Sequence, residues 1–243
     1  METNVYKRQY EQNSNHWWFE GRKFILKSIL GNFLKNKKKI ILDYGCGVGI
    51  NLDMLSKFGK VFYYDKSKLA IKYVKKNYKK RKDILRINDL THFKNKFDLI
   101  VLTDVIEHIK NDKGIILKIF NLLKHDGLVL ITVPAFQSLY SSKDIALKHY
   151  RRYNKAGLFR LLNKNFNTIK FTYFNFILFI PISLFILFFK IVKINFINNV
   201  EKKPNFFLNK LAFYFFSFEG FLINRLTFPF GLSIIFFGKK SND

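Results

Sequence analysis

The stretch KIILDYGCGVGI, residues 39–50, joins an apolar run to a glycine-rich turn. Its first half is a short apolar run that favours a buried strand, and its second half places glycines at positions 45, 47 and 49. The residues that follow, INLDMLSKF, bring Leu52, Leu55 and Phe58 to one face of a helix. Glycines at such a junction allow a tight turn and a close approach of the backbone to a ligand. The stretch therefore predicts a strand, a ligand-binding turn and a helix.

The same alternation of strand and helix continues along the first half of the chain. Ser67 is a predicted N-cap for the helix KLAIKYVKKNY, whose inward face would carry Leu69, Tyr73 and Val74. A later helix, around residues 115–123, is predicted to end with Gly127 in the left-handed conformation. Strands separated by helices of this length form a parallel sheet with right-handed crossovers. The predicted strands are residues 39–44, 61–64, 83–89, 97–103, 128–134, 167–174 and 231–240.

The composition limits the cellular setting and leaves the partner open. The chain has 243 residues and a formal net charge of +26. This charge suits an anionic membrane surface, acidic substrates or nucleic acid, and it is equally explained by a lysine-rich composition without a function. Because Cys46 is the only cysteine, an internal disulfide is excluded. The first residues contain no apolar run, so we expect no signal peptide and a cytoplasmic protein.

Two carboxylates indicate which ligand the glycine turn would bind. A dinucleotide fingerprint is G-x-G-x-x-G, whereas here the third glycine comes one residue early and Asp43 lies in the strand end. An acid at this point would repel a pyrophosphate and attract a cationic, amino-bearing ligand. Asp65 follows Gly45 by 20 positions, at a strand tip where a carboxylate can bind a ribose diol. A nucleoside with a positive amino-acid tail, S-adenosylmethionine, satisfies all of these features.

Five ordered motifs resemble the class I S-adenosylmethionine-dependent methyltransferases, especially the quinone-biosynthesis and type 11 or 23 subgroups. They are ILDYGCGVG, YYDKS, IND, FDLIVLTDVIEHI and LKHDGLVLITVP, and they cover about residues 39–134. The resemblance implies a Rossmann-like seven-stranded sheet, mostly parallel, with an antiparallel last strand. Tyr64 departs from the pattern, because many relatives carry a small residue there. The implied cofactor-binding residues are Asp43, Gly45, Gly47, Gly49, Asp65, Asp89, Thr103 and Asp104.

The resemblance gives each of these residues a role around the cofactor. The glycines would surround its methionine and ribose portions, Asp43 would orient the amino group through the loop, and Asp65 would hold the ribose diol. Asp89 would face the adenine amino group. Thr103 and Asp104 would border the sulfonium and the acceptor.

His108 and His149 are the predicted catalytic bases, because imidazole titrates near neutrality and methylation of an oxygen requires removal of a proton. His108 could instead cap or orient a helix start. The motif D-x-x-E-H also resembles a cluster that holds a divalent cation in some quinone O-methyltransferases, with Asp104, Glu107 and His108 as ligands. We nevertheless predict no metal, because many relatives carry E-H without one.

Substrate contacts are predicted from two aromatic and basic motifs. Trp17 and Trp18 in HWWFEGR would stack on the acceptor, or else would cap the cofactor cleft or pack the domain. Arg151 and Arg152 in HYRRYN could grip a phosphate or carboxylate, or could be solvated residues at a helix start.

A long apolar region separates the last two predicted strands. No charge occurs from Phe171 to Phe189, and a second apolar run covers residues 206–226 with three charged interruptions. Two strands of one sheet lie on the same side of a membrane, so a single crossing between them is impossible. We therefore predict a helical hairpin in the membrane interface with a basic turn at residues 190–205, or else helices that pack on the domain or on a partner subunit. The predicted division is a cap at 1–38, a core at 39–174, the insertion at 175–229 and a final strand at 230–243.

The sequence thus predicts a cytoplasmic methyltransferase, peripheral on the cytoplasmic face of a membrane. Its acceptor would be a small lipidic or lipid-linked molecule methylated on oxygen or carbon. A soluble small-molecule or sugar methyltransferase is the first alternative, and a non-catalytic membrane-associated protein is another. A nucleic-acid methyltransferase is disfavoured, because LTDVIEH lacks the Asn/Asp-Pro-Pro-aromatic motif that grips a flipped base.

Overall fold

The structure is a computed structural model that describes residues 3–12, 15–34, 38–192 and 204–241. Its strands are β1 (Lys39–Tyr44), β2 (Gly59–Tyr64), β3 (Ile84–Arg86), β4 (Phe97–Thr103), β5 (Leu123–Pro134), β6 (Phe166–Phe174) and β7 (Ser233–Lys240). Its α-helices are α1 (Thr3–Gln12), α2 (Trp17–Phe33), α3 (Leu52–Leu55), α4 (Lys68–Tyr78), α5 (Asp112–Leu122), α6 (Ser142–Ala146), α7 (Lys155–Leu162), α8 (Phe179–Ile191) and α9 (Phe206–Leu222). Short 3₁₀ turns occur at Ile106–His108 and Gln137–Leu139.

One seven-stranded sheet forms the centre of the molecule, in the order β3-β2-β1-β4-β5-β7-β6. The pairs among β1 to β5 are parallel, whereas β7 runs antiparallel to both β5 and β6. This confirms the predicted Rossmann-like sheet with an antiparallel last strand. The strand order reverses between β1 and β4, and ligands of such sheets bind in the crevice outside the carboxyl ends at that point.

Central strands buried on both faces explain the continuous apolar runs. Every residue of β4 from Leu99 to Leu102 is fully buried, and β5 is fully buried from Val129 to Val133. Helices therefore cover both faces of the sheet, and α4 begins as predicted, with the Ser67 side chain accepting a hydrogen bond from the Ala70 amide.

Two local predictions need correction. Asp126, with φ of 62°, takes the left-handed conformation assigned to Gly127, because α5 already ends at Leu122 and β5 begins directly after it. On α4, Val74 is buried as predicted, but the predicted inward residues Leu69 and Tyr73 are only half-buried, whereas Ala70 and Ile71 are buried. The inward face of this helix is thus turned by about one residue from the predicted one.

The apolar insertion forms α8 and α9, and α9 packs along α2 of the N-terminal region. A Cβ atom at Gly21 would lie 2.5 Å from the Phe216 ring, so only glycine allows the two helices to approach this closely. Ser28 donates a hydrogen bond to the Gly220 carbonyl (2.7 Å), and the Trp17 amide donates to Asn209 (3.0 Å). Helix α9 of the insertion therefore packs on the N-terminal region, which agrees with the alternative interpretation.

The outer faces of α8 and α9 remain apolar and uncovered within the described ranges. Of the exposed large apolar side chains, the majority lie between Ile180 and Leu226, including Leu184 and Phe188 on α8 and Phe207 and Phe218 on α9. Within residues 3–12, 15–34, 38–192 and 204–241, no helix combines the length and apolarity needed to cross a bilayer. Most of the predicted basic turn, residues 193–203, lies outside the described residues. The fourfold division of the chain stays a prediction.

Candidate active site

A cavity of about 650 Å³ opens at the carboxyl ends of β1, β2 and β4, where the strand order reverses. The predicted residues along its walls are Trp17, Trp18, Gly45, Gly47, Asp65, Thr103, Asp104, His108, His149 and Arg152. The remaining predicted site residues, Asp43, Gly49, Asp89 and Arg151, do not line it. The topology thus brings most of the predicted cofactor, base and aromatic residues to one cavity.

The glycine turn adopts a backbone that few other residues would accept. Gly45, Gly47 and Gly49 all have positive φ, between 55° and 87°. A Cβ at Gly45 would lie 2.7 Å from Val105, whereas one at Gly47 would meet nothing within 4 Å. Gly47 lines the cavity, so a ligand in the open space beside it can contact the backbone there.

Asp65 stabilises this turn while its carboxylate faces the cavity. It accepts hydrogen bonds from the amides of Gly47 (2.9 Å) and Ser67 (2.7 Å). Burial raises the pKa of Asp65 above its ordinary value, although the two amide hydrogen bonds oppose the shift. Each oxygen keeps a second lone pair that a ribose diol could use.

Asp43 lies directly beneath the turn and is fully buried. Neither of its carboxylate oxygens has a hydrogen-bond partner in the described part of the chain. Burial, followed by repulsion from Asp65, raises the pKa of Asp43 to about 7, while Arg22 acts in the opposite direction. A buried, unpaired acid next to a cationic ligand would be stabilised in its ionised form.

The carboxyl end of β4 places two polar residues on the cavity wall. Thr103 accepts a hydrogen bond from Asn51 (2.9 Å), and Asp104 accepts one from Thr132 (3.0 Å). Asp104 also forms an ion pair with the buried Arg22, which sequence reasoning missed because the two residues are 82 positions apart. Asp89 is exposed and accepts hydrogen bonds from Thr91, so it lies away from the cavity in this structure.

The two predicted bases face each other. The rings of His108 and His149 contact edge to face with centroids 4.5 Å apart. A ring nitrogen of each histidine lies within 4.8 Å of a Glu107 carboxylate oxygen. Burial, followed by the neighbouring His149, lowers the pKa of His108 to about 4. Glu107 is fully buried, and burial raises its pKa well above the ordinary value. Asp104, the third residue of the cation-binding alternative, is engaged by Arg22 instead.

Asp144 is a site residue that sequence reasoning missed. It lies on α6, is 1% exposed and bonds His149 Nδ1 at 2.8 Å. Arg152 also binds Asp144 through two nitrogens, so its side chain is committed to this carboxylate rather than free for a substrate anion. The spacing of the three residues, D-x-x-x-x-H-x-x-R, is the signal that could have found the group.

The other arginine lies outside the cavity, whereas the tryptophans form part of its wall. Arg151 forms an ion pair with Asp112 (2.6 Å) outside the cavity. Trp18 stacks on Phe216 of α9, with ring centroids 5.1 Å apart, and still contributes to the cavity wall. The aromatic motif therefore joins the N-terminal helix to the insertion and to the cavity at once.

Helix α1 covers the cavity from the side of α4. The rings of Tyr10 and Tyr73 stack at 4.4 Å, and the Tyr10 hydroxyl donates to Asn77 (2.9 Å). Tyr6 and Gln9, on the same helix, line the cavity. Residues of α1, α2 and α8 thus form part of the wall of the cavity that contains the glycine turn.

The residues present fit S-adenosylmethionine on two observations of the structure itself. The open side of Gly47 leaves room for a ligand against the backbone. The buried Asp43, which has no partner among the described residues, and the nearby Asp65 favour a positively charged ligand. When bound, this cofactor supplies an activated methyl group. The protein must then position the acceptor, remove any proton and exclude water.

A family model described as methyltransferase domain matches residues 13–167, which is more than half of the chain. A ubiquinone biosynthesis O-methyltransferase from Glaesserella parasuis is 27% identical over 166 residues, covering 58% of this chain and 70% of that protein. An uncharacterized protein from Methanocaldococcus jannaschii is 29% identical over 155 residues, covering 63% of this chain and 64% of that one.

Solved structures share the fold at low sequence identity. A chain from the complex between the Haloferax volcanii Trm112 methyltransferase activator and a proposed methyltransferase has a TM-score of 0.63 at 14% identity, covering 99% of this chain and 96% of that one. Haemonchus contortus phosphoethanolamine N-methyltransferase 2 in complex with S-adenosyl-L-methionine has a TM-score of 0.58 at 18% identity, covering 90% and 52%. With the matched family model, the glycine turn and the sheet order, these comparisons establish that the chain belongs to the methyltransferase domain family and is a class I S-adenosylmethionine-dependent methyltransferase.

Proposed function

We propose that this enzyme methylates an oxygen or carbon atom of a small lipidic or lipid-linked acceptor while it is bound to the cytoplasmic face of a membrane. In this proposal the glycine turn, Asp43, Asp65, Thr103 and Asp104 hold the cofactor, and the histidines and tryptophans serve the acceptor. Asp89 would reach the adenine only if its loop moved from its present exposed position.

The observation that carries the proposal is that α8 is apolar on both of its faces. Ile182, Phe185 and Ile186 line the cavity. On the opposite face Leu184 and Phe188 are 62% and 60% exposed. A helix that is apolar all round is normally buried, so the outer face of α8 is suited to an apolar medium. One helix thus connects an apolar surface to the wall of the active site.

The outer face of α9 extends the same apolar surface. Phe207, Tyr214 and Phe218 are exposed, while the opposite face of this helix packs on α2. Aromatic side chains favour the headgroup region of a bilayer, where the positive charge of the chain would add attraction to anionic lipids. An acceptor with an apolar tail could stay in the membrane while its head group enters the cavity.

Vesicle flotation tests the membrane contact. The protein is mixed with phosphatidylcholine vesicles that contain or lack phosphatidylglycerol, and the floating fraction is measured. The variant Leu184→Lys/Phe188→Lys should bind roughly tenfold less or worse, since each apolar side chain contributes about 1.5–3 kcal/mol when buried. The matched control is Leu117→Lys/Phe159→Lys, whose side chains are exposed elsewhere on the surface at 53% and 43%. Equal flotation of the two variants would contradict the proposed contact.

Transfer of a labelled methyl group tests the acceptor class. S-adenosylmethionine labelled in its methyl group is incubated with the enzyme and with lipid and aqueous extracts of the source cells. We expect label in the organic phase. Label found only in the aqueous phase would favour the soluble-acceptor alternative, which a cavity of about 650 Å³ also accommodates.

A further inference from the structure

We propose that Asp144 is a positioning residue that fixes His149 as the proton acceptor of the reaction, and that the methylated atom is the oxygen of a hydroxyl group. The proposal rests on the acceptor site proposed above, but it does not require the acceptor to be a lipid. It goes further by choosing between the two histidines and by naming the acceptor atom.

The hydrogen bond between the two side chains decides which ring nitrogen is free. Asp144 Oδ1 lies 2.8 Å from His149 Nδ1, and Asp144 is 1% exposed. A carboxylate accepts only, so Nδ1 carries the proton and donates it to this bond. In the neutral ring Nε2 is then the basic nitrogen. His149 lines the cavity, and Asp144 is the one hydrogen-bonding partner of its ring within the described residues.

The surroundings of Asp144 keep its carboxylate ionised. Arg152 donates from Nε and from a terminal nitrogen, both at 2.9 Å, and the Ser141 amide donates at 2.9 Å. Although burial favours the neutral form, these hydrogen bonds and that of His149 hold the pKa of Asp144 well below its ordinary value. The ionised Asp144 therefore remains an acceptor for the Nδ1–H group of His149 and holds the ring in one tautomer.

The neighbouring titratable groups lack such support. Within the described residues, the ring of His108 contacts His149 edge to face but has no hydrogen bond with a carboxylate that would fix its tautomer, in contrast to His149. Glu107 is fully buried and neither of its oxygens has a hydrogen-bond partner in the part of the chain that the structure describes. Burial raises its pKa, which favours the protonated form. Among these three groups, His149 is thus the one whose ring has a hydrogen bond with an ionised carboxylate.

The chemistry of the step follows from this arrangement. The acceptor hydroxyl donates a hydrogen bond to Nε2 and transfers its proton there as its oxygen forms a bond to the methyl carbon. The bond between this methyl carbon and the sulfur of S-adenosylmethionine breaks, and the electron pair of the bond stays on sulfur. The products are S-adenosylhomocysteine, a methyl ether and His149 as imidazolium. The imidazolium then returns its proton to solvent. A carbon atom would not form the initial hydrogen bond, so the geometry favours a hydroxyl acceptor.

The tautomer of His149 provides a test that needs no acceptor. Two-bond ¹H–¹⁵N spectra of the full chain, labelled at histidine and bound to S-adenosylmethionine, distinguish Nδ1–H from Nε2–H, and His149→Gln assigns the signal. We expect Nδ1–H in the wild type and a loss of this preference in Asp144→Asn. Asp126→Asn is the matched control, because Asp126 is exposed and its left-handed backbone suits asparagine. Nε2–H in the wild type, or an unchanged tautomer in Asp144→Asn, would overturn the proposal.

Methyl transfer provides the second test, with total extract of the source cells as the acceptor. Asp144→Asn should lower the maximal rate about 100-fold and leave the KM for S-adenosylmethionine within about threefold, whereas Asp126→Asn should change neither. The labelled product is then heated with hydriodic acid, which releases ether methyl groups as methyl iodide. Release of the label supports the inference, and retention of the label on carbon overturns it. Ether label in the aqueous phase would reject the lipid acceptor while leaving this inference standing.

Discussion

Replacing Asp43 with asparagine should change how the stability of the ligand-free protein depends on pH. Asp43 is fully buried beneath the glycine turn, and its oxygens have no partner among the described residues. Its pKa is raised from 3.8 to about 7, mainly by burial. Because the folded pKa lies above the unfolded one, the stabilising contribution of the neutral acid is complete below pH 3.8 and is lost as the pH rises to about 7.

The size of the effect follows from the two pKa values. Between the two pKa values, each rise of one pH unit lowers the free energy of unfolding by about 1.4 kcal/mol. Above the folded pKa the free energy of unfolding changes little further. Between pH 5 and pH 8 the wild type should therefore lose roughly 2–3 kcal/mol through Asp43 alone. Asparagine does not titrate, so the variant should lack this loss. Any constant cost of the new amide is the same at both pH values and cancels in the comparison.

Urea unfolding of both proteins at pH 5, 6, 7 and 8 measures the difference directly. The free energy of unfolding of Asp43→Asn, relative to the wild type, should rise by roughly 2–3 kcal/mol across this range. Asp126→Asn is the control, since Asp126 is exposed and its hydrogen bond with Lys239 lowers its pKa. A relative stability of Asp43→Asn that stays level within about 0.5 kcal/mol from pH 5 to pH 8 would refute the reasoning.

Substitutions at three further positions test local features of the fold and the site. Gly47→Val should weaken binding of S-adenosylmethionine at least tenfold by calorimetric titration, because its Cβ branches would enter the open side of the turn; unaltered affinity would remove Gly47 from the cofactor site. Gly21→Ala should lower the free energy of unfolding by about 1–3 kcal/mol, because the new methyl group would clash with Phe216, and a loss below about 0.5 kcal/mol would mean that α9 can move aside freely. Ser67→Ala should cost about 1 kcal/mol in the same assay by removing the cap of α4, and Ser67→Asp should restore most of it; no loss in the alanine variant would contradict the cap.

Local patterns predicted the sheet well because its strands are determined by short-range signals. Continuous apolar runs mark β4 and β5, and the glycine turn marks the end of β1. The left-handed residue after α5 was misplaced because both Asp126 and Gly127 can adopt that backbone, and only the early start of β5 decides between them. The packing of α9 on α2 could not be predicted from the sequence, since it joins residues about 190 positions apart.

The candidate site shows the same division between local and distant information. His108 and His149 were found from their residue type and from their positions after strands, and the structure places their rings in contact. The pairing of Arg152 with Asp144 was missed, because one carboxylate on a short helix carries no periodic signal. Arg151 and Arg152 are adjacent in sequence but face different partners, so the composition of the motif could not assign their roles.

The packing of α2 against α9 also sets the order of events during synthesis. The first helix of this pair leaves the ribosome early, whereas its partner ends only at Leu222, so the side of α2 that α9 covers, including Gly21 and Phe24, emerges long before it can be covered. Completion of the fold therefore depends on the last part of the chain. A nascent polypeptide arrested before α9 should expose that side to chaperones, and a full-length one should not.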